Sequence, residues 1–548
     1  MNRAALIAIA LCALTLSAQQ AVSPDPSTFG PVPITNGVYR IDNLISAQLP
    51  FPFHLLGTVW YPDGLPAGPY PLVIILHGNH GICRRPGTKD DFGTILVPPF
   101  CGPGFEETPN HLGYDYAASR LASYGYIVAS ISANAVNLRA NGNTERGRLV
   151  QEHLRYWAQW NSPQGGYPWD TQFSGKVDLQ KVGLIGHSRG GEGVRAAYNF
   201  NRQDNSPVGI KAVFEIGPVD FGRRLNLAVP NPLFNSDDVN WTVLLPACDA
   251  DVFTNEGMQV YDRTKSITDR SFPTPKSYVY VRGTNHNFYN SEWLAEDPDF
   301  NFCIDFPVVT DRPTQEAIGA VYMVGYMRTY LGGENFKGLF TGDLRPPATV
   351  TVPVDVAYTE SPNNIQVIDD FTHRNAPDVN TAGGNNTSNN ISFTACNDRT
   401  CREPAPGAWY HDRDLYAGKI SWPGSGTGTP SIGFEVSPSA APRNVSAFGF
   451  LALRAATAFN SRNTYAGQEF TVRLADAAGA TSVGVATSTY RTLPYPTGGL
   501  ARHAVLKTVR IPLAAFSGVD RTRITRIQIL FDKNPTGAIF LTDVHFTQ

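Results

Sequence analysis

Apolar and polar positions change rhythm along the chain. From about residue 36 to residue 335, short apolar, β-rich runs alternate with stretches of helical period. That alternation predicts an α/β layer fold with a mostly parallel sheet. Residues 55–61 and 71–76 read as strands, and the second ends abruptly at His77-Gly78-Asn79-His80-Gly81. A helix is expected over 114–122, a strand over 126–132, a helix over about 144–160 and a third buried strand over 182–185, with later strands at 241–246 and 277–282. Past about residue 345 the helical period is lost. Prolines mark residues 336–365 as a linker. Residues 366–548 then show period-two runs such as Phe470 to Leu474 and Ile527 to Phe531 in an Asn, Gly, Ser and Thr-rich background. These predict an all-β sandwich.

Directly after the run at 182–185 stands Gly186-His187-Ser188-Arg189-Gly190-Gly191, followed by a helical stretch. A strand, a glycine-flanked serine and a helix in that order form a nucleophile elbow, in which the serine sits in a strained turn and bulky residues two positions away would collide. A serine hydroxyl needs a base, and the base needs an orienting carboxylate. On this kind of fold the chain order is serine, acid, histidine. The loop Ala247-Cys248-Asp249-Ala250-Asp251-Val252 offers two acids, and Gly283-Thr284-Asn285-His286 offers the histidine. His187 should point away from the serine, while His77, His80, His111 and His153 precede the acid loop. Order alone leaves Asp249 and Asp251 equal. The backbone N–H of Arg189, next after the serine, is the expected first oxyanion donor.

Over roughly residues 50–331 these motifs resemble the α/β-hydrolase superfamily, in particular the exported polyester hydrolases (cutinase-like poly(ethylene terephthalate) hydrolases) and, more loosely, the dienelactone hydrolases. The resemblance rests on the His-Gly loop at 77–78, the elbow, the acid loop and Gly283 to Asn287. It implies a triad of Ser188, Asp251 and His286, because the acid in those families stands three positions after a strand-ending glycine, where this chain has Cys248. It also implies Asn79 as the second oxyanion donor, and no cofactor. His77 and His80 either reach substrate or only hold the loop. Two features depart from the family: Arg189 replaces an apolar or amide residue, and the loop from Gly81 to Gly113 is long.

The C-terminal runs, including Ile368 to Phe371, Thr508 to Leu513 and Gly537 to Val544, resemble galactose-binding-like jelly rolls used as carbohydrate-binding modules. That likeness implies a sugar platform from Trp409, Tyr410 and Trp422, and a structural calcium shared by Asp370 and Asp543. It further implies that the sandwich is a separable targeting module, so that a chain ending near Arg345 would keep its activity on soluble esters.

Composition narrows the picture further. With 44 basic and 47 acidic residues the net charge is -3, which leaves no excess of cations for a nucleic acid partner. Beyond the N-terminus no apolar run approaches the ~18 residues that span a bilayer. Residues 1–18 read as an export signal: a cationic start at Asn2 and Arg3, an apolar core, and cleavage after Leu16-Ser17-Ala18. The mature chain is therefore expected outside the cytoplasm, secreted or periplasmic. Cleavage removes Cys12 and leaves six cysteines. Fifteen pairings are possible; proximity in sequence suggests Cys83 with Cys101, Cys248 with Cys303 and Cys396 with Cys401. No metal-ligand spacing is present. The expectation is an exported serine hydrolase cleaving carboxylic esters, with a polysaccharide or polymer surface as the further partner. The alternatives are a glycan-directed carbohydrate esterase targeted by its C-terminal module, and a non-catalytic glycan-binding surface protein.

Overall fold

The computed structural model describes residues 19–88, 101–137, 142–221, 233, 235–294, 310–373, 378–397, 416–424, 427–496 and 503–548. The export signal, Cys12, Cys303, Cys401, Trp409, Tyr410 and part of the loop at 81–113 lie outside the described residues. Among the described residues nine strands build the first sheet: β1 (Ile34–Leu44), β2 (Phe53–Pro62), β3 (Tyr70–Leu76), β4 (Ile127–Ile131), β5 (Val177–His187), β6 (Ile210–Ile216), β7 (Asn240–Pro246), β8 (Lys276–Val281) and β9 (Val354–Thr359). Their spatial order is β1-β2-β4-β3-β5-β6-β7-β8-β9. Neighbours from β4 through β8 are parallel, whereas β1, β2 and β9 join antiparallel.

The apolar runs are nearly continuous because this sheet is covered on both faces. Along β3, Leu72, Ile74 and Leu76 enter one core with Leu149 and Trp157 of α2 (Asn143–Trp160) and Val194 of α3 (Arg189–Gln203). Val73 and Ile75 enter the other, with Leu121 of α1 (Asp115–Ala122) and Val321 and Val324 of α5 (Arg312–Tyr330). The connection between β7 and β8 carries α4 (Gly257–Thr264). No helix among the described residues is long and apolar enough to cross a membrane.

Among the described residues the second region is built of antiparallel sheets, one of six strands and one of five. Their shared core includes Ile368, Phe434, Val472, Ile511, Ile529 and Phe546. This is the period-two texture read from the sequence.

The expected linker is corrected. Residues 336–365 contain α6 (Lys337–Thr341) and β9, the last strand of the first sheet. β9 runs against β8 in unbroken register from Lys276 with Thr359 to Val281 with Val354. Ala357 and Tyr358 are buried, so this segment is core.

The sandwich also docks on the first layer through buried polar groups. The Thr508 hydroxyl accepts the Tyr358 N–H at 2.8 Å and donates to the Tyr358 carbonyl at 3.1 Å. Tyr278 donates its hydroxyl to the Leu506 carbonyl. Arg454, 1% exposed, lies 2.5 Å from Asp262 of α4 and 3.2 Å from Asp543. Lys265 meets Asp543 at 2.8 Å. Although burial alone would raise the Asp543 carboxyl, these two cations hold it down at about 2.

Those partners correct the calcium expectation. Asp543 is taken up by Arg454 and Lys265, and Asp370 accepts from the hydroxyls of Thr372 and Thr381 at 2.6 Å each. Trp422 is likewise no sugar platform. It is fully buried, stacked on Phe531 at 4.4 Å, with its indole N–H on the Asn534 carbonyl.

Candidate active site

β5 ends at His187 and α3 begins at Arg189, so the single residue between them makes the turn. Ser188 takes φ 57° and ψ -126°, a sparsely populated conformation that costs on the order of 1–3 kcal/mol for a residue with a side chain. The turn is fixed by hydrogen bonds from Ser188 N–H to the Ile216 carbonyl and from Gly191 N–H to the Ser188 carbonyl, both 2.9 Å. Flanking glycines are required by contact: a Cβ on Gly186 would lie 2.3 Å from the Gly190 carbonyl oxygen, and one on Gly190 would lie 2.4 Å from that of Leu76.

The end of β6 meets both the serine turn and an acid–histidine pair. Its last carbonyl, on Ile216, takes the Ser188 N–H, and the next residue, Gly217, packs on both His286 and Asp249. A Cβ there would stand 2.9 Å from Asp249 Oδ2 and 3.0 Å from His286 Nδ1, and Gly217 has φ +44°. Only glycine lets the strand end this close to the pair.

His286 Nδ1 lies 2.8 Å from Asp249 Oδ2, and both side chains are 1% exposed. The other Asp249 oxygen accepts the backbone N–H groups of Asp251 (3.0 Å) and Val252 (2.6 Å), so the carboxylate is fixed at both ends. With Nδ1–H donated to Asp249, Nε2 is the ring nitrogen left to act as a base. Asp251 occupies a different place. Its side chain is 61% exposed and its Oδ2 lies 3.4 Å from Nε2. The spacing argument that put Asp251 behind the histidine is therefore not matched by the geometry, which gives Asp249 the Nδ1 side. Acid and histidine loops are tied by the Cys248 N–H to Thr284 carbonyl bond at 2.8 Å.

Of the oxyanion candidates, Arg189 heads α3, where backbone N–H groups have no intrahelical acceptor, and its guanidinium lies over the Phe221 ring at 5.2 Å. Asn79 is exposed and follows Gly78, whose Cα is packed against Ser188; a Cβ on Gly78 would lie 2.5 Å from the serine Cβ. His77 is a scaffold residue. Its ring donates from Nδ1 to the Gly78 carbonyl at 2.8 Å and accepts the Ala133 N–H on Nε2 at 2.7 Å. Burial pushes its imidazole well below the usual histidine range, with the Arg146 charge adding to the effect, so it stays neutral.

The sequence did not single out Trp293. Its ring stacks on His80 at 5.0 Å and lies 4.8 Å from the His187 ring, which is itself 4.9 Å from His286. Asn110 fixes this wall by accepting the Trp293 indole N–H at 2.8 Å. His187 is bonded to the Tyr114 hydroxyl at 3.0 Å and is held neutral, first by burial and then by the neighbouring His286. No sequence signal tied Trp293 to the site, since its partners come from four separate segments of the chain.

Cys83 and Cys101 form a disulfide. Cys248 and Cys396 are also disulfide-bonded, but their expected partners Cys303 and Cys401 lie outside the described residues. Comparison of the sequence with protein-family models and with curated proteins gave no match.

Proposed function

We propose that this protein is a serine hydrolase of the α/β-hydrolase type that cleaves carboxylic esters through an acyl-enzyme, with Ser188 as nucleophile, His286 as base and Asp249 as the orienting acid. The observation that carries this reading is the buried Asp249 to His286 Nδ1 contact at the end of the strand that also receives the Ser188 N–H. In the reaction, Ser188 Oγ adds to the ester carbonyl carbon while His286 Nε2 takes its proton. The tetrahedral oxyanion is met by the Arg189 and Asn79 N–H groups. Collapse expels the alcohol with the proton from His286. Water, activated by the same nitrogen, then adds to the acyl-enzyme and releases the acid.

Two measurements test the reading. A fluorophosphonate should label the protein once, with the adduct on the Ser188 peptide by mass spectrometry. A panel of nitrophenyl esters of graded chain length, acetylated or feruloylated xylan, and an aliphatic polyester should reveal turnover and separate a general esterase from a glycan-directed one. Neither labelling nor turnover of any ester would overturn it and favour a glycan-binding protein.

The acid is tested separately. Asp249→Asn should lower kcat on the order of 10³ to 10⁴-fold, because the backbone N–H groups of Asp251 and Val252 keep the amide oxygen and leave its NH2 facing Nδ1, which favours the wrong tautomer. If Asp251→Asn is the more damaging change, the assignment from geometry fails.

A further inference from the structure

The second carboxylate of the acid loop has no part in the steps above, yet it stands at the reacting nitrogen. Asp249 is buried and held by two backbone N–H groups, whereas Asp251 is 61% exposed and only 3.4 Å from His286 Nε2. Its Oδ2 is too far for a good hydrogen bond, so its influence is that of a fixed negative charge on the solvent side of the base. We infer that Asp251 is a specificity-determining residue, which selects against esters carrying a negative charge near the scissile bond and hastens departure of the carboxylate product. This rests on the ester-hydrolase reading.

Every turnover makes a carboxylic acid, which loses its proton to solvent near neutral pH and leaves an anion beside Nε2. An exposed unit charge about 5 Å away in a water-like medium changes the stability of such an anion severalfold. The same repulsion acts on an anionic substrate as it enters, and salt screens it. The nearest opposite charge in sequence to the nucleophile, on Arg189, is laid over the Phe221 ring. The backbone N–H of Asp251 still reaches Asp249 Oδ1 in any side-chain variant, which separates the charge from the support of the loop.

The test compares kcat/KM for 4-nitrophenyl butanoate, which is neutral, and the 4-nitrophenyl monoester of glutaric acid, an anion of similar reach. Asp251→Asn should raise the anionic-to-neutral ratio about threefold to tenfold at about 20 mM salt, and the gain should shrink at about 500 mM. Asp251→Glu should hold the wild-type ratio, and Asp251→Lys should raise it beyond the asparagine variant. A ratio unchanged in Asp251→Asn and Asp251→Lys, in an enzyme that still turns over both esters, overturns the inference alone. A matched fall of both rates by orders of magnitude also overturns it and returns the orienting role to Asp251. A wild-type protein that hydrolyses neither ester and takes no label at Ser188 removes the hydrolase reading and the inference together.

Discussion

Ser188→Ala is expected to lower ester turnover by at least about 10⁴-fold, to abolish fluorophosphonate labelling and to leave the melting temperature almost unchanged. In the proposed reaction the acyl group is carried on the Ser188 oxygen, and members of a triad act as a unit, so the loss is large. Stability is spared for two reasons. Ser188 is 3% exposed, so alanine exchanges one hydroxyl for a hydrogen without opening a cavity of note. Alanine also carries a Cβ and meets the same backbone conformation at similar cost. Turnover near wild type in the folded variant would remove Ser188 from the reaction.

Ending the chain near Arg345 is expected to destroy the fold, not to release an active core. The cut removes β9 and leaves β8, the strand that leads into the His286 loop, as a bare edge. It also deletes Arg454. Asp262 would lose its Arg454 partner, and breaking one side of a buried pair costs about 3–5 kcal/mol. Against a typical net stability of about 5–15 kcal/mol, that loss and the exposed strand together suffice to unfold the remainder. Soluble yield, circular dichroism and ester turnover of the shortened chain provide the check. A folded fragment with near-normal soluble-ester activity would show that the sandwich is a detachable module after all.

Local features were the legible ones. The elbow could be read because strand, glycines and helix are contiguous, and His286 because one strand hands it to the site. The acid could not be separated by spacing. Asp249 and Asp251 are two residues apart, and the choice is made by Thr284 anchoring Cys248 and by N–H groups that turn only the first carboxylate inward. Residues 354–358 alternate as a strand should, but Pro353 and the change of texture disguised them as linker. Their true role depends on pairing with β8, where Val354 meets Val281 and Tyr358 meets Ser277. Trp422 shows the opposite error: an aromatic that suggested a sugar surface is buried against Phe531.

His503 shows how far the second region reaches. Its Nε2 lies 3.1 Å from the Phe253 carbonyl and 3.1 Å from the Asn255 side chain, just beyond the acid loop. The sandwich therefore buttresses the stretch that carries Asp249.

The contorted backbone at Ser188 sets the stability of the chain against its side chain. A chain free to drift would exchange this serine for glycine, which adopts positive φ without strain, and would recover a noticeable fraction of its marginal stability by doing so. The fold therefore carries, at the mouth of its sheet, a side chain that its own stability disfavours.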